Sequence, residues 1–220
     1  MIYSYSSLSC YLKCPQQFFR KYKAKDTLPY QSKESSSGVE IHEAIETALK
    51  TRTPLPEPLT IYEESISSVR SRIDNARIEQ TIFLDHEFDY VVTRPYKGFM
   101  AKLDVLLISD DGKRAVVCDW KSGKPHEDTL QHDCYALAVL KAFPAVEKVT
   151  GFNVYLKHGK VGTEVVHERR NLQAVEDKIA RIIAQIEADE RWVPKPSPLC
   201  NWCNAHKCKF YPNEKNGSFA

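Results

Sequence analysis

The chain has 220 residues, 42% of them hydrophobic and 27% charged, which is enough to bury one substantial core and predicts a single domain over residues 1–220. No apolar run approaches the ~20 residues of a membrane-spanning helix, and residues 1–6 lack the features of a secretory signal, so we expect a cytoplasmic protein without a membrane partner. A net charge of +2 does not by itself indicate nucleic-acid binding, whereas seven cysteines in a reducing compartment favour metal ligation over disulfides.

The first third of the chain is predicted to be helical. An aromatic-rich helix opened by a serine is expected over 6–23, and a polar, serine-rich loop over 31–38. Further helices are expected over 39–50, where apolar residues recur at helical spacing, and near 62–79.

The rest of the chain alternates between β-prone and helical segments. Strands are expected over 87–92, 98–108, 115–119, 151–156 and 162–168. Helices are expected over 129–142 and 171–191, and an irregular tail rich in proline and cysteine starts at 194. This order of elements predicts an α/β or α+β domain.

Two carboxylates and a lysine fall on the two strands that an Asp-Asp-Gly turn joins. Asp104 interrupts an apolar strand, and Asp119 and Lys121 alternate on one face of the next strand. A two-residue turn and a four-residue loop both predict that Asp104 lies directly across from Asp119, with Cβ atoms ~5 Å apart. A loop of odd length would put the two carboxylates on opposite faces.

Two like charges side by side destabilise a sheet unless something neutralises them. A divalent cation is the natural candidate, because Mg²⁺ favours one or two carboxylates together with phosphate oxygens. Lys121 could orient a water molecule or a phosphate, and such a set suits phosphodiester hydrolysis. The alternative is that Asp104 and Asp119 simply form ion pairs with nearby lysines.

Two helical segments offer further candidates. His42 lies at the edge of the apolar stripe over 39–50, from which an imidazole could reach the sheet. Gln131 and Tyr135 are four residues apart and share one helix face. Without context, each of these residues is more often an ordinary surface or core residue.

The cysteines of the tail predict a metal centre. Cys200, Cys203 and Cys208 have the close spacing with which thiolates hold iron–sulfur clusters or zinc. A fourth ligand is Cys14 or its neighbour Cys10 near the start of the chain, or His206 in the case of zinc. Cys118 and Cys134 are interpreted as core residues.

Taken together, these residues resemble the RecB-like branch of the PD-(D/E)XK nucleases, which includes the CRISPR-associated exonuclease called CRISPR-associated protein four and related phage exonucleases. The resemblance covers nearly the whole chain, and the ordered set is more specific than any one motif. It is carried by Ser4, Ser6, Tyr11, Cys14-Pro15, Phe18, Tyr22, Gly38-x-x-x-His42, Asp104, Asp119-x-Lys121, Gln131-x-x-x-Tyr135, Cys200, Cys203 and Cys208.

The resemblance implies a restriction-endonuclease-like α/β core, with a mixed sheet flanked by helices and a Mg²⁺ or Mn²⁺ site. The ligands would be His42, Asp104, Asp119 and the backbone carbonyl of Trp120, and Lys121 would activate or position the attacking water. Gln131 and Tyr135 would bind DNA.

The resemblance also implies a structural [4Fe–4S] cluster, with zinc as the alternative. The cluster would join residues 1–30 and 194–220 into one subregion, and its ligands would be Cys14, Cys200, Cys203 and Cys208.

The implied activity is hydrolysis of single-stranded DNA, often 5′ to 3′ from an end and in some members within the strand. Asp119 occupies a position where many relatives have Glu. No nucleotide-binding helicase motif is found in the sequence, so unwinding would require a helicase, recombination or CRISPR integrase partner in a prokaryotic or phage-infected cell. The alternative function is a non-catalytic iron–sulfur or zinc nucleic-acid-binding subunit.

Overall fold

The computed structural model describes residues 1–28, 33–126 and 128–211, with only the backbone at 33–37. The chain divides into two compact units, Met1–Tyr3 with Ser32–Lys178, and Ser4–Gln31 with Ile179–Ala220. Within the described residues, no helix is both long and apolar enough to cross a membrane.

A mixed sheet forms the centre of the first unit. In chain order its eight strands are β1 (Ile2–Tyr3), β2 (Ala76–Leu84), β3 (Tyr90–Val91), β4 (Gly98–Ile108), β5 (Arg114–Lys121), β6 (Lys148–Tyr155), β7 (Lys160–Val161) and β8 (Val165–Glu168). The strand order is β3-β2-β4-β5-β6-β7, with β1 paired to β4 and β8 to β6. The β1–β4 and β5–β6 pairs are parallel and the other pairs are antiparallel. This arrangement confirms the expected mixed sheet.

Six α-helices occur in the described part of the chain: α1 (Tyr5–Lys13), α2 (Pro15–Phe18), α3 (Lys33–Thr51), α4 (Glu63–Arg70), α5 (Thr129–Ala142) and α6 (Leu172–Ala188). Apolar residues of α3 and α4 pack on the sheet face that carries Val105, Cys118 and Trp120. Helix α5 contacts the other face, to which Asp119 points. The sheet is therefore flanked by helices, as expected.

The hairpin between β4 and β5 sets the register on which the candidate site depends. Ser109 donates its backbone N–H to the carbonyl of Arg114 at 2.9 Å, which closes a four-residue loop. The last paired residues are Val105 and Cys118, and Asp104 and Asp119 occupy the next position along the hairpin, away from the turn. The two strands separate there, so the carboxylates lie side by side at the point where the ladder opens.

Three of the expected element bounds are wrong. Helix α3 begins at Lys33, within the expected loop 31–38, whose residues 31 and 32 lie outside the described residues. The helix expected to reach residue 79 ends at Arg70, and β2 begins at Ala76 because its side chains alternate between core and solvent in the two-residue period of a strand. The strand expected over 87–92 is reduced to Tyr90–Val91.

The expected helix over 6–23 is interrupted inside the second unit. Helix α1 is capped by Ser4, whose hydroxyl accepts from the Ser7 N–H, and it ends at Lys13. Cys14 is extended because the proline ring that follows disfavours helical geometry at the preceding residue. After Pro15 the chain resumes as α2 and then a π-helix, Phe19–Ala24.

The same unit joins the start and the end of the chain. The ring of Phe18, which is fully buried, stacks on Trp192 with ring centroids 5.8 Å apart. The Leu28 N–H donates to the Asn204 carbonyl at 3.0 Å, and the Asn204 amide donates to the Leu28 carbonyl at 3.2 Å. Residues near both ends therefore share one core, although the tail contains only a short 3₁₀-helix, Pro198–Trp202.

A buried ion pair anchors α5 within the first unit. The carboxylate of Asp133 contacts His167 Nε2 at 2.8 Å and Lys178 Nζ at 2.5 Å. Burial opposes its ionisation, but the hydrogen bonds to His167 and Lys178 outweigh that effect and lower the pKa of Asp133 below the ordinary 3.8. The charged form of Asp133 therefore stabilises the fold.

We expect Asp133→Asn to lower the free energy of unfolding by about 1–3 kcal/mol near neutral pH, because it leaves buried donors poorly satisfied. The native pKa of Asp133 is depressed, so its contribution is complete above about pH 4 and is lost as the pH falls through that pKa. Urea unfolding should show the variant and the wild type converging in acid. Asp74→Asn is the matched control, because its side chain is 80% exposed in a surface pair with Arg52, and it should change stability little. A loss for Asp133→Asn that persists unchanged in acid would contradict this account.

Candidate active site

Asp119 is held by donors from two elements. Its Oδ1 accepts from Gln131 Nε2 at 2.8 Å and from the Tyr135 hydroxyl at 2.5 Å, both on α5. Its Oδ2 is buried, has no hydrogen bond of acceptable geometry, and lies 2.5 Å from Lys121 Nζ. One carboxylate oxygen is thus fixed by the helix, while the other faces a positive charge.

Asp104 is held by the opposite strand. Its Oδ2 accepts the backbone N–H of Trp120 at 2.8 Å and lies 3.6 Å from His42 Nδ1. A side-chain oxygen thus replaces a backbone carbonyl where the β4–β5 ladder stops. Burial, followed by the charge of Asp119, raises the pKa of Asp104 from 3.8 to about 8. The protein alone therefore opposes two adjacent negative charges, which a bound cation would favour.

His42 approaches this pair from α3, which the glycine one turn earlier allows to come close. A Cβ atom at Gly38 would lie only 2.7 Å from the Ser122 hydroxyl, just beyond β5. Burial lowers the pKa of His42 below its ordinary 6.5, which favours the neutral imidazole that can act as a metal ligand. Spacing alone could not predict this contact, because it depends on how α3 packs on the sheet.

Glu79 is a third carboxylate near the pair, and no sequence pattern indicates it, because the helix expected near 62–79 covers this position. Residues 78 and 80 of β2 pair with residues 105 and 103 of β4, so Glu79 lies opposite Asp104. Its backbone has φ +56°, a strained value that non-glycine residues rarely adopt outside functional or turn positions. Its side chain is 10% exposed and forms an ion pair with Lys102. The charge of Glu79 helps to raise the pKa of Asp104.

The residues at this site fit a divalent cation in their chemistry. They combine a buried Asp119 oxygen whose close partner is Lys121 Nζ, a raised carboxyl pKa at Asp104, and an imidazole at His42 whose pKa burial lowers. In the described parts of the chain, no three His, Cys, Asp or Glu side chains stand close enough to hold one ion as they are. The carboxylate oxygens contact the Trp120 N–H, the α5 donors and Lys121 instead.

Comparison with known proteins agrees with this geometry. Residues 2–208 match the family model of the PD-(D/E)XK nuclease superfamily. The chain belongs to the PD-(D/E)XK nuclease superfamily. Members of this superfamily typically use Mg²⁺ or Mn²⁺. No curated protein matches the chain.

Two solved structures share the fold of this PD-(D/E)XK chain. The protein SSO0001 is 12% identical, with a TM-score of 0.50 over 96% of this chain and 87% of SSO0001. A candidate exonuclease from Eubacterium rectale is 11% identical, with a TM-score of 0.54 over 100% of this chain and 94% of its own. At these identities the similarity concerns the fold alone.

Gln131 and Tyr135 lie beside the carboxylate pair, on the buried face of α5. They are only 4% and 5% exposed, and both side chains hydrogen-bond to Asp119. Gln131 also donates to the Tyr135 hydroxyl at 2.7 Å. Helix α5 buries this face against the sheet, so the pair contacts a carboxylate of the candidate site.

Four cysteines of the second unit, Cys10, Cys14, Cys200 and Cys203, line one cavity of about 620 Å³. Three thiols accept backbone N–H groups: Cys14 from Lys195 at 3.5 Å, Cys200 from Ser197 at 3.4 Å and Cys203 from Ala205 at 3.5 Å. Burial raises the pKa of Cys203, and the charges of Cys14, Cys200 and Cys208 raise it further. Cys118 and Cys134 are buried elsewhere, as expected for core residues.

We expect saturating Mg²⁺ or Mn²⁺ to raise the unfolding temperature of the wild type, with about 2.7 kcal/mol of stabilisation at a hundredfold excess over Kd. Asp104→Asn should lose this increment, because it removes a charged ligand but keeps an oxygen that can accept the Trp120 N–H. When a chelator has removed the metal, Asp104→Asn should be at least as stable as the wild type, because it no longer places a second carboxyl group beside Asp119.

The readout is thermal unfolding with and without metal. Asp110→Asn, at an exposed turn position, is the matched control and should keep the full metal response. An equal metal-induced shift in wild type and Asp104→Asn would contradict a cation site at Asp104.

Proposed function

We propose that this chain is a Mg²⁺- or Mn²⁺-dependent nuclease that hydrolyses single-stranded DNA, as an exonuclease that proceeds 5′ to 3′ and with some cutting within the strand. The observation that carries the proposal is the position of Asp104 and Asp119, side by side where β4 and β5 separate, with Lys121 against Asp119. Superfamily membership supports nuclease activity, and the similarity in fold to a candidate exonuclease favours cutting from an end.

In this proposal Asp104, Asp119, His42 and the Trp120 carbonyl hold the metal. Bound metal supplies the positive charge that polarises the phosphate and makes the attacking water more acidic. Lys121 positions that water or the phosphate through its ammonium group, which already lies at the Asp119 carboxylate. The water oxygen bonds to phosphorus as one P–O ester bond breaks; the water gives up one proton to solvent and the leaving oxygen takes up one from solvent, so one water is consumed per bond cut.

Gln131 and Tyr135 act as positioning residues in this proposal. Their two donors fix Asp119 Oδ1 and leave Oδ2 next to Lys121 Nζ. Trp120 has two separate roles: its N–H orients Asp104, and its indole packs in the core on the opposite face. Strand β5 thus carries Asp119 and, through the Trp120 N–H, also orients Asp104.

We expect Asp119→Asn and Lys121→Met to reduce metal-dependent degradation of single-stranded DNA by at least about a hundredfold, because each removes a charge that acts in the transition state. End-labelled single strands, incubated with Mn²⁺, Mg²⁺ or chelator, give the rate and the direction of cutting.

Lys113→Ala provides the control, because this lysine is 60% exposed and pairs with Glu147 at the far end of the hairpin. It should cut like the wild type. Undiminished cutting by both Asp119→Asn and Lys121→Met would assign the activity to a contaminant or to another site. Failure of the folded wild type to cut would favour a non-catalytic DNA-binding role.

We further propose that Cys14, Cys200, Cys203 and Cys208 ligate a [4Fe–4S] cluster of structural role. Backbone N–H groups directed at three of these sulfurs support it, because such hydrogen bonds stabilise the negative charge of thiolate ligands. Cys14 is favoured over Cys10, since burial raises the pKa of the Cys10 thiol to about 11. The cluster would add cohesion to a tail with little core of its own.

We expect anaerobically purified protein to be brown, from thiolate-to-iron charge transfer, and Cys14→Ser to lose both colour and thermal stability. Cys10→Ser is the matched control one helical turn away, and it should retain both. If only Cys10→Ser loses the colour, Cys10 is the ligand and Cys14 is not. If the protein is colourless and contains stoichiometric zinc, the cysteines hold zinc and not an iron–sulfur cluster.

A further inference from the structure

A second cavity of about 320 Å³ lies beside the candidate active site. Two of its lining residues, Asn153 and Tyr155 on β6, are the register partners of Asp119 and Lys121 on β5. Adjacent strands are ~4.8 Å apart, and partners in a parallel pair point to the same face. The cavity therefore begins one strand away from the proposed catalytic residues.

Asn153 is a buried polar residue whose hydrogen-bonding capacity is largely unused. It is 5% exposed, its Oδ1 has no partner, and its Nδ2 reaches only the Tyr155 hydroxyl, at 3.5 Å. An unsatisfied buried acceptor is costly, and native structures retain one where a ligand or water completes it. Asn153 is one of the residues that line the cavity, where a bound group could supply the missing donor.

The walls of the cavity are fixed by packing. The Tyr155 hydroxyl donates to the His126 carbonyl at 2.7 Å and accepts the His126 N–H at 3.3 Å, which holds the segment after β5 against β6. His132 is 4% exposed and lies against Gly151, where a Cβ atom would come within 2.5 Å of its ring. The cavity is therefore formed before any ligand binds.

The charges around the cavity disfavour a phosphate. No lysine or arginine is among the described residues that line it, although a phosphate site would normally contain one. Asp128 caps the N-terminus of α5 with its own carboxylate, which accepts the Leu130 N–H and occupies the place where an anion would gain from the helix. Burial lowers the pKa of His132, so this wall is neutral as well.

A neutral, planar group with N–H donors fits such a site. The volume of the cavity lies at the lower end of the range for small-molecule pockets. We propose that this cavity is a nucleobase subsite, which receives the base of a nucleotide next to the phosphate cut at Asp104 and Asp119. Asn153 Oδ1 accepts an N–H of that base, and the subsite contributes to the choice of cleavage position. The inference rests on the proposed nuclease function and names the part of the substrate that this site reads.

The test combines an abasic scan with Asn153→Leu, which removes the amide at similar volume. Single-turnover cutting of end-labelled single strands is measured with one abasic nucleotide moved stepwise through the positions around each cut. We expect the wild type to slow about fivefold to a hundredfold at one position next to the cleaved bond, from lost hydrogen bonding and stacking. Asn153→Leu should be slower on intact DNA and insensitive to the abasic nucleotide at that position.

Two further variants keep the test decisive. Thr163→Trp, from an exposed position at the wall, should fill the cavity without disturbing the core and give the same loss of sensitivity, even if Asn153→Leu fails to fold. Asn75→Leu is the matched control, because its amide donates to Asp110 at an exposed site away from this cavity, and it should keep the wild-type profile.

Several outcomes would overturn the subsite. One is a wild-type profile in which no position of the abasic nucleotide slows cutting. Another is that both cavity variants respond to the abasic nucleotide as the wild type does. A third is that the rate of cutting depends on a 5′-phosphate and not on the base. If the folded wild type does not cut intact DNA at all, the proposed function fails and the subsite falls with it. Cutting of intact DNA without any effect of the scan rejects the subsite alone.

Discussion

The fold of the first unit is organised around two carboxylates that the backbone places next to each other at the point where two strands part. Within an unbroken ladder, Asp104 and Asp119 would repel one another on a buried face. The structure holds each with donors, the Trp120 N–H on one side and Gln131, Tyr135 and Lys121 on the other. These donors offset part of the repulsion. Burial and the negative charge of Asp119 nevertheless raise the pKa of Asp104, so the negative charges of the pair are not fully balanced. A divalent cation would balance the two negative charges, which supports the proposed metal site.

Helix α5 connects this electrostatic centre to the rest of the unit. Its polar residues are buried but have partners on different elements: Gln131 and Tyr135 on β5, and Asp133 on β8 and α6. The helix thus carries both the clamp on Asp119 and the ion pair that anchors it. It also forms one wall of the proposed base subsite through His132. Displacement of α5 would therefore affect stability, metal binding and substrate recognition together.

The second unit meets a different requirement, which is to order a tail with little apolar content. The Phe18–Trp192 stack and the bonds between Leu28 and Asn204 join the two ends of the chain. The break at Cys14-Pro15 matters here, because it removes Cys14 from helical geometry and leaves its sulfur to accept the Lys195 N–H. A continuous helix would have directed this thiol elsewhere.

The sequence by itself determined the features that depend on local chemistry: the hairpin register that brings Asp104 next to Asp119, the placement of Asp119 and Lys121 on one face, the helix 129–142 and the close spacing of the tail cysteines. Turn length and the two-residue period of a strand are short-range properties, so the printed residues suffice for them. Only the tertiary structure decided that Gln131 and Tyr135 turn inward to Asp119, that Glu79 joins the carboxylates, and that Asn153 lines a cavity with an unsatisfied oxygen. Those relations join segments far apart in the chain, and they depend on how α3, α5 and β6 pack, which no local pattern encodes.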